Sequence, residues 1–409
     1  MSPGAGLLNP FPGLRPFGAD EAHLFFGREE HVDELLEKLR SNRFVAVVGS
    51  SGSGKSSLVL AGLFPALDGG ALGAQWRIAS LRPGRHPIAN LARALRHPAV
   101  SGSPVPEDPD PGDIALELGF AEAALRRSHL GLIEAVRELA LQPGESLLLL
   151  VDQFEEIFRY QTAPAGPESS EADAFVPLLL EAVRQSEVPI HVILTLRSDF
   201  LGQCVRFPGL PEAINSGQYL IPRLNRRQRL AAIAGPARVA GAEISPPLLQ
   251  RLLNDVGDNP DQLPILQHAL MRTFDLWQAR ARPEVPRGPI EVTDYEAAGT
   301  LARALSNHAE EVFAELTDRQ REIAEALFRS LTETTPEGQH IRRPASLGEI
   351  AEIAGASVEE VLDAVEPFRA PGRTFLVLPQ GVPVTAETRV DISHESLMRL
   401  WDRLREWCD

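Results

Sequence analysis

Residues 44–59 read FVAVVGSSGSGKSSLV, and within them Gly49-Ser50-Ser51-Gly52-Ser53-Gly54-Lys55-Ser56 fits G-x-x-x-x-G-K-[ST]. An apolar run precedes the pattern and an apolar-periodic stretch follows it, which predicts strand, loop and helix in that order. Glycines let consecutive backbone N–H groups curl around phosphate oxygens, and the next helix points its positive dipole end at them. Ser56 offers a hydroxyl to Mg²⁺, and Lys55 an ammonium that fits between β- and γ-phosphate oxygens. Ser50, Ser51, Ser53 and Ser57 complete the loop expected around a nucleotide. The lysine is informative in itself. Of 40 Lys plus Arg, lysine occurs only at Lys38 and Lys55. A planar guanidinium is wide, whereas a phosphate cradle takes a point charge on a flexible stem.

About a hundred residues downstream, LLLLVDQFEE (147–156) predicts a buried strand followed by an acidic turn. Asp152 at its end is expected to hold Mg²⁺ opposite Ser56. The alternative for such an aspartate is to cap the next helix. Hydrolysis also needs a group that orients or deprotonates water. The position after Asp152 is Gln153, which leaves Glu155 and Glu156, with Glu156 the first choice. A third stretch, PIHVILTLRSDFL (189–201), ends a strand in Arg197, which can read the extra oxygens of a triphosphate.

The apolar runs FVAVVG, WRIASL, SLLLLVD, PIHVILTLR and QYLIP are continuous rather than alternating, as for strands covered by helices on both faces. Before them lies an amphipathic helix near 29–41. Segments 101–113 and 162–171 read as surface loops. Residues 224–330 are nearly all helical in period. The tail then gives two short helices around a Gly-bearing turn, a hairpin (RTFLVLP, TRVDIS) and one closing helix (HESLMRLWDRLREW), a winged-helix pattern. The expected fold is an α/β P-loop NTPase core over 1–223, an all-α domain over 224–315 and a winged helix over 316–409.

A net charge of −16 argues against broad nucleic-acid binding. The longest aliphatic run is far short of a membrane span, and the opening residues carry no secretion signal. Cys204 and Cys408 form neither a metal-ligand spacing nor a disulfide framework, which suits the cytoplasm.

Together these residues resemble the STAND class of signalling P-loop NTPases, relatives of NACHT and apoptotic ATPases, and specifically the bacterial novel-STAND NTPase family. The opening NPFPGLRPFGADEAHLFFGRE is similar to that family's Pro/Phe-rich start, VDQFEE to its metal strand and TLRSDF to its sensor strand. The resemblance implies that Phe26, Gly27 and Arg28 line the adenine pocket, and that Pro264 of DQLPI packs near base or ribose. Pro264 reads equally well as the first turn of a helix. In ISHESL, His394 corresponds to the family's latch on the β-phosphate of ADP, although Ser393 and Glu395 depart from its Met-His-Asp pattern.

The resemblance further implies a switch that binds ATP or ADP with Mg²⁺, hydrolyses slowly, is closed by ADP and opens into a homo-oligomer. Effector and sensor parts would lie on further chain or on partner proteins. Defence or cell-death signalling would follow by analogy alone. Three competing readings remain at this point: a nucleotide-gated DNA-binding regulator, a constitutive AAA+-like ATPase and a scaffold without turnover. The first sits poorly with residues 301–409, which hold twelve basic against twenty acidic side chains.

Overall fold

Five apolar segments build one parallel sheet: β1 (Phe44–Gly49), β2 (Gln75–Leu81), β3 (Glu145–Val151), β4 (Ile190–Arg197) and β5 (Gln218–Leu220). Their order is β2-β3-β4-β1-β5. This is a computed structural model, and it describes residues 7–102, 111–159, 169–257, 262–280, 288–334, 340–379 and 384–408. Every residue of β1 is buried, as are six of the seven in β3. Each such Val or Leu contributes about 1.5–3 kcal/mol through burial. Continuous rather than alternating apolar sequence is what two covered faces require. The C-terminal ends of β1, β3 and β4 are neighbours, with Gly49 opposite Arg197 and Val151 opposite Leu194. In open α/β sheets that end, where chain order switches sides, is where ligands bind.

The described chain divides into two units, one comprising Gly18–Ala22 with Arg28–Arg223, the other the residues up to Phe17, His23–Gly27 and Leu224–Asp409. The first holds the sheet and its helices. Two stretches read as loops prove partly helical, since Pro111–Arg127 and Ser169–Arg184 start inside them; the rest of both stretches lies largely outside the described residues.

The second unit has two cores. Ile233, Leu252, Leu266, Phe274 and Tyr295 centre the first, and Phe328, Val361, Phe368, Val390 and Trp401 the second. Helix Thr300–Glu315 serves both: Ala304 belongs to one core and Leu305 to the other. The winged helix comprises helices Asp318–Ser330, Leu347–Ala354 and Val358–Arg369 with a three-stranded sheet. Its strands are β8 (Ala345–Ser346), β9 (Leu376–Val377) and β10 (Arg389–Ile392); β6 (Thr332–Thr334) and β7 (His340–Arg342) form a separate hairpin that the sequence reading did not include. Gly355, at φ 57°, ends Leu347–Ala354 in the left-handed cap that glycine favours.

Two expectations change. The opening segment, assigned to the NTPase domain over 1–223, groups with the second unit as far as Phe17. Asn9 Nδ2 donates to Met271 O (2.9 Å) and Asp275 Oδ1 (2.8 Å), Phe11 packs on Phe274, and Leu14 enters the winged-helix core. The single closing helix is two, Ser396–Leu400 and Asp402–Cys408. Trp401 leaves helical geometry (ψ 106°) to bury its ring and donate Nε1–H to Glu310 at 2.6 Å. The Ser306 hydroxyl then accepts from Asp402 N–H at 3.3 Å.

Candidate nucleotide site

The glycine pattern becomes a loop between β1 and the helical turn Lys55–Ser57. Gly54 stands at φ 89°, which a side chain would strain. Gly49 lies so close to Ile221 and Ser53 that a Cβ would collide with both. Beyond Ser57 the helix passes through a π-helical stretch, Leu58–Leu63, before Phe64–Asp68. Pro65, lacking an N–H, cannot complete the ordinary ladder there. Lys55 is buried and donates to the carbonyls of Gly49 (3.0 Å) and Ser50 (2.7 Å). Burial lowers its pKa, and Glu155 is the strongest influence in the opposite sense.

Asp152 follows β3 directly and is buried. Its Oδ1 accepts from Ser56 Oγ at 2.7 Å and from Thr195 Oγ1 at 2.6 Å, while Arg82 Nε lies 3.6 Å from Oδ2. The sequence-predicted pair, Ser56 and Asp152, is thus in contact across 96 residues of chain. Two hard oxygen donors so placed suit Mg²⁺. Among the described residues Asp152 makes none of the bonds expected of a helix cap.

The two glutamates diverge. Glu156 accepts from Gly84 N–H at 3.0 Å, on the loop after β2. Glu155 is buried and accepts from Arg197 N–H at 3.2 Å. Burial raises its pKa, against the pull of Lys55. Glu155 thus lies with Arg197 and interacts with Lys55, while Glu156 meets the loop after β2. Arg197 binds Asp199 in a fork, Nε to Oδ1 at 3.1 Å and Nη2 to Oδ2 at 2.7 Å, and lies over the Phe200 ring. Reading a third phosphate would require it to exchange that partner.

Arg28 has a role the sequence did not indicate. It is buried and donates to Ser53 O (2.9 Å) and Pro222 O (2.7 Å), tying the loop to the segment after β5. Burial lowers its pKa to about 10. Phe26, Gly27, Pro264 and His394 belong to the other unit. The Phe26 ring packs on Gly235, where a Cβ would meet it at 2.5 Å, and Gly27 lies against the Gln228 carbonyl. Pro264 stands in the first turn of helix Leu263–Ala279, the plain structural reading of that residue; Asp261 lies outside the described residues. His394 Nδ1 accepts from Ser396 N–H at 3.2 Å, so the neutral ring carries its proton on Nε2.

Sequence reasoning missed Thr195 and Arg82. Thr195 was visible only as a lone hydroxyl in an apolar strand. Arg82 borders Asp152 because β2 pairs β3 up to Leu81 opposite Val151. Gln153 holds a left-handed backbone (φ 55°), which costs a non-glycine residue about 1–3 kcal/mol and is the kind of strain found at working sites. With its amide nitrogen toward Glu156 Oε1 (3.3 Å) and its oxygen toward Arg82 (3.1 Å), its side chain bridges the two.

The family model described as Novel STAND NTPase 1 matches residues 10–409. No curated protein matches the chain. Similar solved structures include Cdc6p of Pyrobaculum aerophilum, 16% identical with a TM-score of 0.44, each chain covered over 93%. The ORC1 protein of Aeropyrum pernix, solved with DNA, is 15% identical with a TM-score of 0.45 and the same coverage. A Walker-type ATPase of Pyrococcus abyssi is 14% identical with a TM-score of 0.44, covering 96% of this chain and 99% of its own. Likenesses this distant say nothing of a shared ligand. Among the described residues no helix is long and apolar enough to cross a membrane.

Proposed function

The chain belongs to the Novel STAND NTPase 1 family, and from that premise we propose that it is a nucleotide-dependent switch that binds ATP or ADP with Mg²⁺, hydrolyses ATP slowly and is held closed by ADP. The observation that carries this reading is the convergence of Lys55, Ser56, Asp152, Glu155 and Arg197 at the ends of three neighbouring strands.

Backbone N–H groups of residues 49–57 would cradle the phosphates, with Lys55 neutralising them. The ammonium is already held by the loop's own carbonyls, so little reorganisation is needed to present it. Ser56 and Asp152 would hold Mg²⁺, which supplies positive charge to the phosphate oxygens. Glu155 would take the proton of the attacking water, and Arg197, exchanging Asp199, would distinguish triphosphate from diphosphate. Phe26, Gly27, Arg28 and Pro264 would attend the base, with Arg28 acting through its brace on Ser53.

Switching needs a ligand that prefers one arrangement. His394, whose Nε2 carries the ring proton, would favour ADP, and Arg197 would favour ATP. In this reading residues 224–315 and 316–409 act as helical and winged-helix modules, and the open form assembles with further copies to engage an effector. The test is binding of a fluorescent ADP analogue and single-turnover ATP hydrolysis by wild type, Lys55→Ala and Asp152→Ala. Loss of both activities in the variants supports the reading; wild-type behaviour in both variants rejects it.

A further inference from the structure

Strand β4 reads IHVILTLR, and its one hydroxyl, Thr195, is fully buried. A buried hydroxyl is costly unless its bonds are satisfied. Besides its place opposite Val47 in the β1–β4 ladder, Thr195 bonds to Asp152, Gln153 and Phe154. Its Oγ1 donates to Asp152 Oδ1 at 2.6 Å and accepts from Gln153 N–H at 2.8 Å. Its carbonyl accepts from Phe154 N–H at 2.9 Å. The regular β3–β4 ladder ends one step earlier, at Val151 opposite Leu194. Beyond that point the left-handed Gln153 turns the chain away, and Thr195 takes over the pairing.

We propose that Thr195 is a positioning residue for the divalent cation, its hydroxyl fixing both the Asp152 carboxylate and the Gln153 turn that carries it. The proposal rests on the Mg²⁺-nucleotide reading given above. A hydroxyl has one proton and two lone pairs. Because Gln153 N–H can only donate, it occupies a lone pair, and the proton is left for Asp152. That bond holds Oδ1 where Ser56 Oγ also reaches it, 2.7 Å away. Valine at this position would keep the branched shape, remove both hydroxyl bonds and take the Thr195 oxygen away from the part-buried Gln153 N–H. Serine would keep the hydroxyl and lose only a methyl.

The test uses the full chain saturated with ADP and titrates Mn²⁺, followed by electron paramagnetic resonance, into wild type, Thr195→Val and Thr195→Ser. Binding of a fluorescent ADP analogue in EDTA checks that each variant is folded. Thr195→Val is expected to bind Mn²⁺ about 10- to 100-fold more weakly, with ADP-analogue binding in EDTA unchanged and Thr195→Ser close to wild type. Should the valine variant not fold, Thr195→Cys, with its weak donor, is expected to fall between serine and the weakened level. Wild-type Mn²⁺ affinity in Thr195→Val or Thr195→Cys overturns the proposal. Equal loss in Thr195→Ser and Thr195→Val also overturns it, since the methyl rather than the hydroxyl would then matter. A wild type that binds no ADP analogue overturns the nucleotide reading first, and this proposal with it.

Discussion

One unit buries Lys55, Asp152 and Glu155 around a glycine-rich loop, whereas the other buries His268 and His308 against Phe375. In the first, cation and carboxylates lie within reach of one another, and hydroxyls and backbone N–H groups complete their bonds. In the second, His308 Nδ1 and His268 Nε2 face each other at 3.4 Å among apolar rings. Burial, with Arg272 adding to it, lowers His268 to about 3 and His308 to about 2. Nearby Arg373 pushes His308 the same way. The difference separates a place that can receive a charged ligand from one that packs neutral rings. Burial alone marks neither; the partners decide.

Removing Lys55 should break the comparison most severely. Lys55→Ala is expected to weaken ADP-analogue binding by at least about 100-fold, the order seen when a preorganised donor to developing charge is lost. His308→Gln should leave that binding unchanged; equal losses in both would erase the distinction. Next comes Glu155→Gln, expected to slow single-turnover hydrolysis about 100-fold with binding retained, as for a lost general base. The sign of its pH dependence follows from burial, which raises the Glu155 pKa above the ordinary carboxylate value. The group must be charged to accept a proton, so turnover should fall as pH drops through that raised pKa. The glutamine variant should lose this acid limb, and a slowed variant that keeps it would point to Glu156.

A smaller effect is expected at His394. Its Nε2–H would make a charge-assisted bond to a phosphate oxygen, so His394→Ala should speed ADP release about 10-fold. Stopped-flow displacement of the ADP analogue measures this, and an unchanged off-rate removes the latch. The smallest effect belongs to the histidine pair. Both folded pKa values lie below 6.5, so the stability these rings contribute is present above that pH and is lost as pH falls from 6.5 towards about 3. Melting between about pH 7 and about pH 4 should therefore show an acid slope that His308→Gln makes shallower. An unaltered slope would mean that other groups carry it.

The sheet and the loop were legible because their signals are local. Continuous apolar runs give buried parallel strands, and the glycine-lysine spacing fixes the loop between β1 and its helix. What could not be read depends on partners far away in sequence. Thr195 acquires its role only because the β3–β4 register brings Leu194 beside Val151. Glu155 and Glu156 are adjacent letters, and only the contacts with Arg197 and Gly84 separate them. The closing helix breaks at Trp401 because its ring reaches Glu310, 91 residues earlier. Asn9 and Leu14 join the second unit through helix Leu263–Ala279 and the winged-helix core, partners that a local reading of the opening segment does not contain.

The proposed switch needs a nucleotide held firmly enough to set the state of the protein. Its most direct test is chromatography of the nucleotide released when freshly purified wild-type protein is denatured. ADP is expected in near-stoichiometric amount. Protein that carries no nucleotide would contradict it.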